Sequence, residues 1–181
     1  MMRKKRHPFE EEKALTWESV SWPDGSRYEG LVKGDCAHVR GVFTYGKDGD
    51  TYVGEYKDNE MDGYGVYAWK RGTVYRGEWK ESMMHGCGVK VVKQANGTML
   101  AEEGEFVEDE WKGVTGVCSL KQARKAAEYA DVAAQMASAF QLDREYVADD
   151  GNVPAGLKRV AEGMEANGSE RRKGRRFFGL F

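Results

Sequence analysis

One period dominates this sequence. A Tyr-x-Gly triplet recurs at Tyr28 to Gly30, Tyr52 to Gly54 and Tyr75 to Gly77, at spacings of 24 and 23 residues. Nine and eleven residues after the triplet glycine a second pair follows, Gly63 with Gly65 and then Gly86 with Gly88. The first copy keeps Gly41 but places Val39 at the other position. A worn fourth copy has Glu102 where tyrosine is expected, then Gly104, Glu105, Phe106 and Gly113. Upstream, WESVSWPDG ending at Gly25 reads as the closing half of a unit. A unit this short cannot bury its apolar face alone, so the chain folds by stacking copies.

Within a copy the pattern is strand, turn, strand. TYVGEYK at 51–57 and VYRGEWK at 74–80 alternate aromatic or small residues with polar ones, the period of two of a strand with unlike faces. DNEMDG and ESMMHG supply the turns, GVYAW at 65–69 and GVKVV at 88–92 the return strands, and Asp-Gly, Arg-Gly and Asn-Gly dipeptides join one hairpin to the next. The expectation is a single-layer, twisted antiparallel meander of eight or nine short strands, mainly β. The tyrosine two places before each glycine and the aromatic two places after it share a face. A ring from the next unit is expected to lie over the bare backbone between them.

Composition supports the same architecture. Of 23 glycines, 17 fall between Trp17 and Cys118, with 14 of the 21 aromatics, while the whole chain has three prolines. This aromatic content excludes a disordered chain, and the scarcity of proline excludes a collagen helix. The longest uncharged stretch near the helical region, Val132 to Leu142, has 11 residues, whereas a membrane-spanning helix needs about 20. Cys36, Cys87 and Cys118 have no framework spacing, so they are read as free thiols of a reducing compartment. The start, MMRKKRHPFEEEK, has no apolar run and is not read as a secretory leader. The chain is therefore expected inside the cell, not secreted. Asn96 and Asn167 then stand as Asn-Gly turns rather than glycosylation sites.

The net charge of −2 hides a split: residues 1–7 hold four basic residues and no acid, residues 169–181 five basic residues and one acid, and residues 8–168 sum to −10. An acidic body disfavours nucleic acid as its partner and leaves the ends as candidates for anionic surfaces. After Cys118 the pattern turns helical. Ser119 and Gln122 fit a capping box, and the run to Phe140 holds eight alanines, with Leu120, Ala123, Ala127, Ala130, Ala134 and Ala137 at helical spacing. The predicted division is an extension at 1–16, repeats at 17–118 (a half-repeat at 17–25, then copies from 24, 48, 71 and about 96), a helix packed on the sheet or a partner within 119–141, a linker with a weaker helix from Pro154 to about Ala166 within 142–168, and a basic aromatic tail at 169–181.

The unit YxG, then Glu, an aromatic and Lys, then HGxG or DGxG, closing on Val-Tyr-x-Trp and a turn, resembles the MORN repeat across residues 17 to about 118. That resemblance implies a single-layer sheet serving as a non-catalytic module for protein and membrane attachment. The segment LTWESVSWPDGSRYEG at 15–30, together with the alanine-rich helix, also looks like the MORN-bearing subunit of the chloroplast inner-envelope protein translocon. This implies a chloroplast envelope location and a place in a membrane-associated complex.

Candidate residues follow from both lines. Tyr28, Tyr52, Tyr56, Tyr75, Trp79 and Phe106 form the repeat face, as core or as a partner-binding surface, over the repeat glycines Gly30, Gly54, Gly63, Gly65, Gly77, Gly86, Gly88 and Gly104. In the tail, Arg171, Arg172, Lys173, Arg175, Arg176, Phe177 and Phe178 combine charge with apolar rings, the chemistry of an anionic lipid surface. Cys36 with His38 and His85 with Cys87 have the spacing of paired ligands, but both histidines occupy one repeat position and are read as structural. Neither Gly63-Tyr-Gly65 nor Gly86-Cys-Gly88 continues as a dinucleotide loop. The aspartates Asp143, Asp149 and Asp150 lack calcium-loop spacing. Hence no catalytic group, metal, cofactor or small-molecule substrate is expected. The expected function is a non-enzymatic scaffold for protein–protein interaction, with lipid tethering through the tail as the alternative.

Overall fold

The computed structural model describes residues 14–139 and Gln141. Nine strands, β1 (Leu15–Ser21), β2 (Arg27–Lys33), β3 (Cys36–Thr44), β4 (Thr51–Lys57), β5 (Glu60–Ala68), β6 (Val74–Lys80), β7 (Met83–Lys93), β8 (Met99–Val107) and β9 (Glu110–Gly113), precede one helix, α1 (Leu120–Ser138). The strands form one antiparallel sheet in strict chain order. The expected mainly-β meander is what the chain adopts. The predicted extension, the weaker helix and the tail lie outside the described residues.

Glycines hold the sheet to a fixed register. Gly30, Gly41, Gly54, Gly65, Gly77, Gly88 and Gly104 stand opposite one another, one per strand from β2 to β8, as an unbroken row. Each repeat tyrosine lies along this row. A Cβ at Gly65 would stand 2.3 Å from the Tyr52 hydroxyl and 2.5 Å from its Cζ, and Gly41 and Gly88 are crowded in the same way by Tyr28 and Tyr75. The ring over the return-strand glycine is thus the unit's own tyrosine, and its hydroxyl also stands 2.5 to 2.7 Å from a Cβ at the triplet glycines Gly30, Gly54 and Gly77, where the sequence pattern pointed to a ring of the next unit. A flat ring over bare backbone lets one sheet seal its own face without a second layer.

In each of the hairpins β2–β3, β4–β5 and β6–β7 the return strand bulges, so that three of its residues, centred on Val39, Gly63 and Gly86, stand opposite the single residue after the triplet glycine, Leu31, Glu55 or Glu78. The hydroxyls of Tyr28, Tyr52 and Tyr75 donate to these three carbonyls at 2.8, 2.9 and 2.9 Å. The carboxylates opposite the bulges reach across as well: Glu55 accepts the Tyr64 N–H at 2.7 Å and Glu78 that of Cys87 at 2.5 Å. These carboxylates fill the space beside Gly63 and Gly86, where φ is +103° and +68°. Val39, the departure in the first copy, keeps the same backbone at φ +64°. Leu31 stands in place of the glutamate there, so no carboxylate crowds the Val39 position.

The turns are tighter than the runs DNEMDG and ESMMHG suggest. Only Asp58-Asn59, Glu81-Ser82 and Glu108-Asp109 lie between paired residues, and both members of each pair have positive φ, as a two-residue turn on twisted strands requires. The polar residues that follow already belong to the return strand, which is why β5 and β7 are longer than the segments 65–69 and 88–92.

Two faces result. One holds Val20, Tyr28, Val32, Ala37, Phe43, Tyr52, Tyr56, Met61, Tyr75, Trp79, Met84 and Phe106 as a continuous buried cluster. Across the other lies α1, touching β3 to β8. Its start forms the expected capping box between Ser119 and Gln122. Its buried residues are Ala123, Ala126, Ala130, Ala133 and Ala137, so the apolar face is turned relative to the predicted stripe: Ala127 and Ala134 lie at its margin and Leu120 is exposed. Three free thiols were expected, but Cys87 and Cys118 are disulfide-bonded with Cα atoms 5.6 Å apart, and Cys36 alone of the three is free. The reading of a reducing compartment loses that support.

Candidate binding surface

All six repeat-face aromatics lie in the core. Tyr28, Tyr52, Tyr75 and Phe106 are fully buried, Tyr56 is 3 % and Trp79 5 % exposed. Their rings meet edge to face in a chain: Tyr28 with Tyr56 at 5.6 Å, Tyr56 with Tyr52 at 5.1 Å, Tyr52 with Trp79 at 5.3 Å, Trp79 with Tyr75 at 5.2 Å and Tyr75 with Phe106 at 4.9 Å. This geometry sets ring edges against neighbouring faces, the favourable arrangement for aromatic quadrupoles. Trp79 also donates Nε1–H to the Gly65 carbonyl at 3.1 Å, so the next unit contributes a hydrogen bond to the glycine row. Burial pushes the Tyr28, Tyr52, Tyr56 and Tyr75 hydroxyls well above the usual phenol range. All four are neutral at physiological pH, and those of Tyr28, Tyr52 and Tyr75 are structural donors.

Half-buried aromatics border this core where the wide loops leave the sheet. Trp22, Tyr45, Tyr67 and Trp69 pack on the cluster, linked by ring contacts of 4.6 Å between Phe43 and Tyr45, 6.0 Å between Tyr45 and Tyr67 and 4.5 Å between Tyr67 and Trp69. The Lys90 ammonium lies 5.4 Å from the Trp69 ring centre. These rings, rather than the six named from the sequence, are the part of the aromatic face that meets solvent.

Both margins of the sheet are stitched from repeat to repeat by residues the sequence reading passed over. On the tight-turn margin, side chains of Asn59, Ser82 and Asp109 accept the backbone N–H of Ala37, Met61 and Met84 at 2.6, 3.0 and 2.9 Å. Their own N–H groups donate to the carbonyls of the same three residues. On the wide-loop margin, Ser26, Asp50 and Thr73 accept the N–H of Gly46, Lys70 and Lys93 at 3.1, 3.0 and 3.4 Å. Short polar side chains recurring at one position per copy were the available signal, but each reads locally as an ordinary turn residue.

The largest exposed apolar side chains gather where the sheet ends and the helix begins. Met99 is 56 %, Leu100 49 %, Trp111 47 %, Val114 58 % and Val117 67 % exposed. Here β9 pairs with only the last three residues of β8, leaving the outer margin of 99–104 without a strand partner among the described residues. On α1, Tyr129, Val132 and Met136 are also about half exposed.

The tempting ligand pairs are not assembled. His38 accepts from the Asp58 N–H at 3.4 Å and Cys87 is bonded to Cys118. Among the described residues no three His, Cys, Asp or Glu side chains are placed to hold a metal ion. No described helix is long and apolar enough to cross a membrane. The lipid-contact candidates from Arg171 to Phe178 lie outside the described residues.

The hairpins β2–β3, β4–β5 and β6–β7 correspond to three matches to the MORN repeat family model, at residues 28–49, 52–74 and 75–91. The chain carries MORN repeats. The worn hairpin β8–β9, where Glu102 replaces the ring that would cover Gly104, lies beyond the matched residues. A stretch of 55 residues is 44 % identical to Protein TIC 100 of Arabidopsis thaliana, a match that covers 30 % of this chain and 6 % of that protein.

Proposed function

We propose that the chain is a non-enzymatic MORN scaffold that holds a protein partner at the end of its sheet. The supporting observation is the exposure of Met99, Leu100 and Trp111 at the end of the sheet, where the margin of β8 has no strand partner over 99–104 among the described residues. Apolar side chains of this size, open to solvent along one end of the sheet, favour a protein partner. The stitched margins and buried ring chain make the rest of the sheet a stiff support. The partial likeness to TIC 100 supports a setting in a membrane-associated complex of the chloroplast envelope. The test is photo-crosslinking from residue 100 or 111 in native extract, read by mass spectrometry. One reproducible partner, lost when Met99 and Leu100 are both changed to serine, is the expected result. An absence of reproducible adducts from either position refutes the reading.

A second reading, a tether to anionic lipid, draws on the five basic residues and the apolar rings of residues 169–181. Sedimentation with phosphatidylserine vesicles separates the two readings. Binding that disappears on removal of residues 169–181 supports the tether, and binding unchanged by that removal refutes it.

A further inference from the structure

We propose that the Cys87–Cys118 pair is a redox latch that holds α1 on the sheet when oxidised and releases it when reduced. Cys118 precedes the N-cap Ser119, and Cys87 lies in the middle of β7, so the bond ties the first turn of α1 to the sheet. Beside it, Thr115 donates to Glu105 of β8 and accepts the N–H of Cys118 at 3.1 Å, and the remaining ties are small. The helix contributes five buried alanines, each a single methyl group, to the interface. Its ion pairs, Arg76 with Asp131 at 2.9 Å and Arg124 with Glu103 at 2.8 Å, each have at least one partner half exposed or more, and such pairs contribute little. Tyr64 meets Tyr129 at 5.4 Å, and Gln141 donates to Glu29 at 2.8 Å beyond the far end.

The cross-link therefore matters most in states where α1 has left the sheet, because it closes a 31-residue separation that would otherwise be free. The connecting segment, held through Thr115, is open on either side of that residue. Nothing lies within 4 Å of the space a Cβ would take at Gly113 or Gly116, and Val114 and Val117 are mostly exposed. On release, Cys87, Tyr64 and Val89, now packed with Cys118, Ala123 and Ala126, become accessible.

The chemistry balances with a dithiol as reductant. One of its thiolates attacks a sulfur of the pair to give a mixed disulfide and one free cysteine. Its second thiol then displaces the other cysteine, leaving two cysteine thiols and the reductant's own disulfide; two electrons and two protons are transferred. Cys36 is free and takes no part.

Hydrogen exchange on the full chain, before and after dithiothreitol, tests this. Peptide mapping of the air-equilibrated protein is expected to recover Cys87 linked to Cys118. Reduction is expected to speed amide exchange across residues 120–138 by about tenfold or more while β4 to β6 keep their protection. Cys118→Ser is expected to show the fast helix exchange with or without dithiothreitol. Three results overturn the proposal: alkylation of both cysteines in the unreduced folded protein, identical α1 exchange in both redox states, or loss of protection throughout the sheet together with α1.

Discussion

Adding one methyl group at Gly65 tests the central packing device of the sheet. In Gly65→Ala the new Cβ would stand 2.3 to 2.6 Å from three atoms of the Tyr52 phenol, about 1 Å inside ordinary contact. Tyr52 has no free direction in which to retreat. It is fully buried, with Tyr56 at 5.1 Å, Trp79 at 5.3 Å and its hydroxyl on the Glu55 carbonyl. Displacing the ring breaks that hydrogen bond in a buried place, at about 1 to 3 kcal/mol, and overpacking adds about 1 to 3 kcal/mol. The expected loss is about 4 kcal/mol, a large part of the stability of a domain this size. Gly97→Ala is the control, because φ there is +85° but nothing lies within 4 Å, so it carries backbone strain of about 1 kcal/mol alone. Urea titration followed by tryptophan fluorescence measures both. In a double-mutant cycle with Tyr52→Ala, removal of the ring should recover at least about 2 kcal/mol of the Gly65→Ala cost. If Gly65→Ala costs no more than Gly97→Ala, or if the cycle is additive, flat ring packing on the glycine row is not what holds the sheet.

Other consequences are as direct. The Tyr56 hydroxyl is buried without a hydrogen-bond partner among the described residues, so Tyr56→Phe should leave stability unchanged or raise it by about 1 kcal/mol, whereas Tyr52→Phe, which loses the bond to Glu55, should lower it by a similar amount; thermal melts distinguish them. Asp50 is 7 % exposed and accepts from both the Lys70 N–H and the Tyr67 hydroxyl, so Asp50→Ala should cost about 2 to 3 kcal/mol in urea titration and a null effect would remove the wide-loop stitch as a stabilising element. The phenol pKa values of Tyr28, Tyr52, Tyr56 and Tyr75 are raised in the folded state, so their contribution is whole below about pH 10 and falls as pH rises above it, by about 1.4 kcal/mol per pH unit for each ring. Ultraviolet titration should show these four ionising only with cooperative unfolding, and ionisation near pH 10 in a folded chain would contradict their burial.

The sequence by itself determined the unit and its repetition. Glycine spacing, alternation along β4 and β6 and the capping box at Ser119 are local patterns, and local patterns dictate strand, helix start and register. Interactions between elements were decided only by the tertiary structure. Alternation cannot tell which ring covers a glycine, because the unit's own tyrosine and the next unit's aromatic share one face; the Glu55 carbonyl, opposite the bulge in β5, settles it by accepting from the Tyr52 hydroxyl. Helical spacing marks an alanine-rich side but not its rotation, and contact with the sheet selects Ala126 and Ala133 over Ala127 and Ala134. Asn59, Ser82 and Asp109 look like turn residues until the preceding hairpin brings Ala37, Met61 and Met84 within hydrogen-bonding distance. Cys87 and Cys118 lie 31 residues apart in sequence, and they meet because α1 folds back across the strands. The aromatic face, read from the sequence as core or as a partner-binding surface, is core. A single-layer sheet with rings lying flat along a glycine row closes that face itself, leaving the largest exposed apolar side chains at the end of the sheet.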